Sequence, residues 1–365
     1  IFHKLISDMI KKLLSNVWFS FLPFLIVYIV VVITEHKNFF EGDEGRYYEY
    51  AQNLLHGFYS PKNQVYLWNG PGYPIILMPF VALKASTLWL TVLNAVFQYL
   101  SVVFLFKSLH QFVSKRKAFF FSLIWACYYI VFKEMARVNT ESLTILLISL
   151  FQYCVIIFYK TNGAPKKYLF CSGLLLGYLV LTKVMFAYVL YALLPISIIV
   201  GFIFKYKKMQ SAFYILLLAF CVTIPYLIYT YQLTGRKLYW ANTGGASLYW
   251  ASSPFEGEFG DWNNETFTTY CGWDSLIPCN AAFFAKNHEE DFKVFRKLNL
   301  IQQDSAFKKK GIENIKNYPV KYFKNCIANI GRMIFSVPQS FYFQRFQTLM
   351  RIIPNAIIFS FLIFC

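Results

Sequence analysis

The sequence predicts an all-α fold: a polytopic transmembrane helical bundle with a large first outer loop carrying juxtamembrane helices. Three observations predict it. The 365 residues are 57% hydrophobic, above the roughly 45–50% apolar share of soluble domains. The apolar residues fall in blocks of about 15–25 with few charges, the length that crosses a hydrocarbon core of about 30 Å. The lysines behind the net charge of +17 cluster in short loops between these blocks. Topology and anionic lipid account for such a pattern better than nucleic acid does.

Residues 1–15 are amphipathic and basic, through Lys4, Lys11 and Lys12, and lead into a first span, Leu14–Thr34. The run is too long for the apolar core of an ordinary signal peptide and no small-residue cleavage site follows. It therefore reads as a retained helix with its N-terminus inside. The first outer loop covers residues 35–85. In it, Tyr47–His56 reads as a short amphipathic helix stopped by Gly57. Trp68-Asn69-Gly70-Pro71-Gly72-Tyr73-Pro74 is a turn-rich hinge. Ile75–Leu83 is apolar but too short to span, and is expected along the interface. Further spans are expected at Ser86–Leu109, Lys117–Phe132, Glu141–Tyr159, Tyr168–Thr182, Met185–Phe204 and Ser211–Gln232.

Residues 1–232 then form one transmembrane module. Residues 233–345 form a polar outer juxtamembrane segment with too little apolar content for a domain of its own, and 346–365 begin another span. The chain starts at Ile1 and stops at Cys365 inside an apolar run, which reads as a fragment lacking its C-terminal part. The loops Lys107–Lys117, Lys160–Lys167 and Lys205–Lys208 are basic and free of acid, and they alternate. That puts them on the inner side with the N-terminus, and residues 35–85, 133–140 and 233–345 outside. Cys127, Cys154, Cys171 and Cys221 lie in apolar runs as small hydrophobes. Cys271 and Cys279 flank a short loop and form either a disulfide or two free thiols.

Chemistry is expected in the first outer loop, in Phe40-Glu41-Gly42-Asp43-Glu44-Gly45-Arg46-Tyr47-Tyr48. Adjacent carboxylates just outside a bilayer are either solvated surface or a site. As a site, Asp43 is a general base with Glu44 beside it, Gly42 and Gly45 let backbone approach a ligand, Arg46 holds a phosphate or carboxylate, and Tyr47 contacts substrate. Glu141, after Thr140 at the start of a span, is a helix cap or a second active-site acid. Arg137 in the preceding loop is a further candidate for a phosphate. Lys183, in the otherwise apolar Leu181-Thr182-Lys183, either snorkels or binds a lipid phosphate. Arg236 offers the same choice. Residues 239–250 mix glycine, amide and aromatic side chains, as sugar-binding surfaces and interfacial belts both do. Asn242 and Tyr249 are the substrate-binding candidates there. No phosphate-cradling glycine motif and no metal cluster is evident, so no cofactor is expected; a divalent metal is left open.

Taken in order, Gly42-Asp43-Glu44-Gly45-Arg46-Tyr47, the Gly70–Pro74 hinge, Thr140-Glu141, Gly177 with Leu181-Thr182-Lys183, and Asn242-Thr243-Gly244-Gly245 with Leu248-Tyr249 resemble the GT-C membrane glycosyltransferases. The branch most resembled holds the protein O-mannosyltransferases and the bacterial aminoarabinose transferases that modify lipid A. The resemblance spans nearly the whole chain, and its most specific part is the Asp43-Glu44 motif. It implies a multi-pass protein of a bacterial plasma membrane. That enzyme would move a sugar, with inversion, from a polyprenyl-phosphate donor to a lipid, glycan or protein acceptor on the outer face. The family's catalytic aspartate falls on Asp43, its second acid on Glu141 and a donor-phosphate cation on Lys183. In the aminoarabinose branch a lysine precedes the first hinge proline, where this chain has Gly70, so that contact is not carried over. The rival readings are a lipid-linked oligosaccharide ligase or polymerase, with its essential residues in 233–345, and a lipid or polysaccharide transporter, with ionisable residues or paired repeats deep in the bundle.

Overall fold

Apolar runs of this length, in a medium without water, satisfy their backbone groups internally by forming helices. The computed structural model, which describes residues 16–161, 165–269, 279–337 and 344–364, contains only helices as regular elements among those residues. The chain divides into two units: residues 1–61 with 69–240, and residues 62–68 with 241–365.

In the first unit, a single turn at Val17–Ser20 precedes α1 (Leu22–Glu35). Then follow α2 (Asp43–Leu55), α3 (Gly72–Ala82), α4 (Thr87–Leu109), α5 (Lys115–Ala126), α6 (Tyr129–Met135), α7 (Glu141–Lys160), α8 (Lys166–Thr182), α9 (Met185–Ile198) and α10 (Lys207–Thr234). The last turn of α9 widens into a π turn, Ile199–Ile203. Four of these are long and apolar enough to cross a membrane: α4, α7, α9 with its π turn, and α10. At 17 residues, α8 is at the short end of a crossing.

The span expected at Lys117–Phe132 is not continuous. It breaks at Cys127-Tyr128 between α5 and α6. The carbonyl of Ala126, freed by the break, accepts a 2.8 Å hydrogen bond from the buried Tyr28 hydroxyl of α1, and Trp125 stacks on Tyr128 with ring centres 5.6 Å apart. Tertiary partners thus hold a helix end that hydropathy alone does not mark.

α8 packs between α7 and α10, and α4 packs on α7. Gly173 and Gly177, four apart on α8, allow the close approach to α10. A Cβ on Gly177 would lie 2.8 Å from the Ala219 carbonyl oxygen and 2.6 Å from the Val222 Cβ. This is the small-residue packing that brings helices together where the hydrophobic effect gives no help.

The basic loops meet at one end of this unit, as their alternation requires. Lys160 Nζ donates to the Gln111 carbonyl at 2.5 Å, and the Tyr159 hydroxyl donates to the Lys208 carbonyl at 2.8 Å. The opposite end gathers the end of α1, α2, the hinge, the loop before α7 and the end of α8. There His36 Nε2 pairs with Thr87 Oγ1 at 3.2 Å.

The second unit contains α11 (Gly244–Ala251), α12 (Ala281–Phe295), α13 (Leu300–Asn317), α14 (Pro319–Phe335), a turn at Phe346–Leu349, and α15 (Ile352–Phe364). Its apolar content is enough, contrary to expectation, for a core of its own. Tyr249, Trp250, Phe267, Phe284, Phe292, Phe295 and Phe307 pack as one buried cluster, and aromatic side chains bury far more area each than aliphatic ones. α11 lies on α13. Gly245 is what permits it, since a Cβ there would lie 2.8 Å from the carbonyl carbon of Asp304. Residues 62–68 join this unit through Asn242, whose backbone N–H donates to the Leu67 carbonyl at 2.6 Å and whose Nδ2 donates to the Val65 carbonyl at 3.2 Å. Cys279 is disulfide-bonded, while Cys271 lies outside the described residues. Cys127, Cys154, Cys171 and Cys221 are free thiols.

Candidate functional site

Asp43 does not sit in a loop. It is the first residue of α2, which begins four residues before the expected Tyr47. Gly42 makes the turn into the helix with φ +61°, a conformation most side chains resist. The acidic pair therefore occupies the positive end of the helix dipole. Gly45 has no comparable task, for a Cβ there would only touch the Phe40 Cβ at 3.7 Å.

The two neighbouring carboxylates have different surroundings. Glu44 is 6% exposed. Its Oε1 accepts from the Val138 N–H at 2.7 Å and its Oε2 from the Glu41 N–H at 2.6 Å. It ties the start of α2 to the loop before α7. Asp43 is half-exposed at 47% of its side chain. Its Oδ1 is paired with Arg46, one helical turn on. Its Oδ2 faces the Asn69 amide at 3.5 Å. Asn69 also donates to the Tyr47 hydroxyl at 3.0 Å, and its own Oδ1 is buried with no hydrogen-bond partner among the described residues.

Burial pushes the Tyr47 hydroxyl up to about 12, so it is protonated at neutral pH. The Glu141 charge raises it further, against the opposing effects of Thr140, Arg46 and Asn69. The loop that leads into Glu141 is held to the start of α2 by the Val138 N–H bond to Glu44. Glu141 opens α7, and its Oε1 is 2.8 Å from Lys183 Nζ. Lys183 is the residue just past α8. The hinge sets its position. Gly70 and Gly72 lie against the backbone of Leu181 and Thr182, so closely that a Cβ on Gly72 would be 2.8 Å from the Thr182 nitrogen. The Tyr178 hydroxyl donates to the Gly72 carbonyl at 2.7 Å. The glycine at position 70 is thus a packing requirement in this chain.

Asp43, Glu44, Arg46, Tyr47, Glu141 and Lys183 are accordingly brought to one end of the first unit. Arg137 is there too, 3.4 Å from the Glu41 carboxylate. Arg46 and Arg137, candidates for a phosphate, both face carboxylates of the protein. Arg236 lies over the Tyr239 ring at 5.4 Å. Asn242 and Tyr249 belong to the second unit. Tyr249 is 1% exposed, and its hydroxyl sits 2.6 Å from His288 Nδ1 and 2.9 Å from Asp291 Oδ2. It is a core residue there.

Sequence reasoning did not pick out Asn69, Tyr73 or Asn94. Asn94, fully buried in α4, donates to the Arg137 carbonyl at 2.6 Å and accepts from the Tyr73 hydroxyl at 3.2 Å. Tyr73 meets Tyr47 edge to face with ring centres 5.4 Å apart. An amide inside an apolar span was the available signal, because polar groups at that depth need partners.

Residues 69–229 match the family described as dolichyl-phosphate-mannose-protein mannosyltransferase, a family of the GT-C superfamily. That family implies a membrane-embedded glycosyltransferase using a lipid-linked sugar donor. The matched stretch begins at Asn69, where the chain re-enters the first unit. It contains the hinge, Glu141 and Lys183, while Asp43 precedes it. No curated protein and no solved structure matches the chain.

Proposed function

We propose that this protein transfers a sugar from a polyprenyl-phosphate donor to an acceptor at the outer face of a membrane, with inversion at the anomeric carbon. The observation that carries the reading is the gathering of Asp43, Glu141 and Lys183 at the bundle end opposite the basic loops. If basic loops lie inside, the cluster lies outside.

In this reading an acceptor O–H or N–H gives its proton to Asp43 Oδ2, the oxygen not taken by Arg46. The acceptor atom attacks the anomeric carbon from the face opposite the phosphate. The carbon–oxygen bond to the phosphate breaks, and polyprenyl phosphate leaves with the electron pair and one more negative charge. Lys183 meets that charge. Its pair with Glu141 is 31% and 40% exposed, and pairs of that exposure are worth about 0–1 kcal/mol. An incoming phosphate can therefore draw the ammonium from Glu141 at little cost. Arg46 orients Asp43 in place of holding the donor, and the vacant Asn69 Oδ1 can accept from a sugar hydroxyl. Positioning with charge stabilisation suffices for a leaving group already this good.

The test is a membrane assay with a panel of polyprenyl-phosphate sugars and a nucleotide sugar. We expect polyprenyl phosphate to be released from one of the lipid-linked donors and no transfer from the nucleotide sugar. Acceptor-free flux of lipid across the membrane, with no glycosidic product, would point to a transporter instead. Lys183→Ala in the same assay is expected to raise the donor KM about tenfold, equivalent to about 1.4 kcal/mol, with the protein still inserted. An unchanged KM and turnover would make Lys183 an anchor.

A further inference from the structure

The second unit holds a cavity of about 310 Å³ lined, among the described residues, by its own side chains, at the small end of ligand pockets, which run roughly 300–1,000 Å³. The reaction scheme makes no use of it. Three indoles line it, those of Trp68, Trp250 and Trp262. Neutral hydrogen-bonding side chains alternate with them, among them Asn242, Asn263 and Gln303, and Glu265 is the one charge in the lining among the described residues. A pocket for phosphate would need a cation, and a pocket for an acyl chain would have no use for the amides. Indole faces beside amides suit a neutral polyhydroxylated ring, whose C–H face packs on an aromatic surface while its hydroxyls bond the amides.

A second observation points to a ligand. Asn242 is 7% exposed. Its N–H and Nδ2 are spent on the Leu67 and Val65 carbonyls, yet its buried Oδ1 has no donor among the described residues. A buried acceptor left unpaired costs about 1–3 kcal/mol, and a sugar hydroxyl would supply the missing donor. Of the lining indoles, Trp262 is 39% exposed and Trp250 2%.

We propose that this cavity is a saccharide-binding site for a neutral mono- or disaccharide unit, formed by the second unit independently of Asp43. The inference does not depend on the transfer reaction proposed above. The test is calorimetric titration of the full chain in lipid nanodiscs, free of glycoside detergent, with a panel of neutral mono- and disaccharides. We expect one or more to bind, Trp262→Ala to weaken that sugar about tenfold, Trp262→Phe to recover part of the loss, and Asp43→Asn to leave binding unchanged. Thermal melting checks that the half-exposed Trp262 can be replaced without unfolding. The proposal is overturned if no sugar of the panel binds at millimolar concentration. It is also overturned if binding survives Trp262→Ala, or if a lysolipid binds there in a Trp262-dependent way and the sugars do not.

Discussion

Asp43→Asn is expected to cut turnover by about 10²–10⁴, the usual contribution of a general base, or about 3–5 kcal/mol of barrier at 1.36 kcal/mol per decade, while donor KM and thermal stability stay near wild type. Asparagine keeps the shape and can still face Asn69 and Arg46, but it cannot take a proton. Glu44→Gln is expected to do the opposite. Glu44 is buried and accepts two backbone N–H groups. A glutamine has one acceptor oxygen, so its NH₂ must face one of those donors, at a cost of about 1–3 kcal/mol in stability. Turnover should fall only as far as the loop shifts. The pair of variants, assayed for release of polyprenyl phosphate and melted in detergent, separates the two carboxylates. If Asp43→Asn retained more than about a tenth of wild-type turnover, the base would have to be sought elsewhere, with Glu141 the next acid to test.

Gly70→Ala is expected to destabilise the protein and to raise the donor KM together. The added Cβ would press on the carbonyl of Leu181 and lie 2.9 Å from its carbon. Those are backbone atoms with no rotamer to move into, so either the hinge or the end of α8 must shift. Overpacking of this sort costs about 1–3 kcal/mol, and the residue displaced next is Lys183. Gly45→Ala is the control. Its Cβ would meet only the Phe40 Cβ at 3.7 Å inside α2, where alanine is favoured over glycine by about 1 kcal/mol. A melt in which Gly70→Ala matched the wild type would remove the hinge packing as the reason for Gly70.

How far the sequence could be read depended on whether a residue's partners lie nearby in the chain. Apolar runs declare themselves, because helix length and hydrocarbon thickness are local quantities. The alternation of basic loops declares itself too, and the contacts from Lys160 to Gln111 and from Tyr159 to Lys208 agree with it. Asp43, Glu141 and Lys183 stood out as charges in apolar company. Their grouping could not be read, since it is made by α2, α7 and α8 meeting at one end. The break at Cys127-Tyr128 escaped notice for the same reason: Tyr28, which takes the freed carbonyl, is about a hundred positions away in the chain.

The sequence by itself thus determined the helical membrane class, the four long spans, the gathering of the basic loops at one end, and the identity of the charged candidates. Only the tertiary structure decided what each charge does within the chain. It turned Glu44 into a buried tie and left Asp43 half open. It spent Arg46 and Arg137 on carboxylates, and it put Gly70 and Gly72 against the backbone beneath Lys183. It also gave residues 241–364 an aromatic core and a pocket that residues 62–68 help to line through Trp68. The physical reason is one of range. Hydropathy and helix propensity act over a few turns, whereas burial, close backbone approach and charge pairing are settled by residues far apart in the chain.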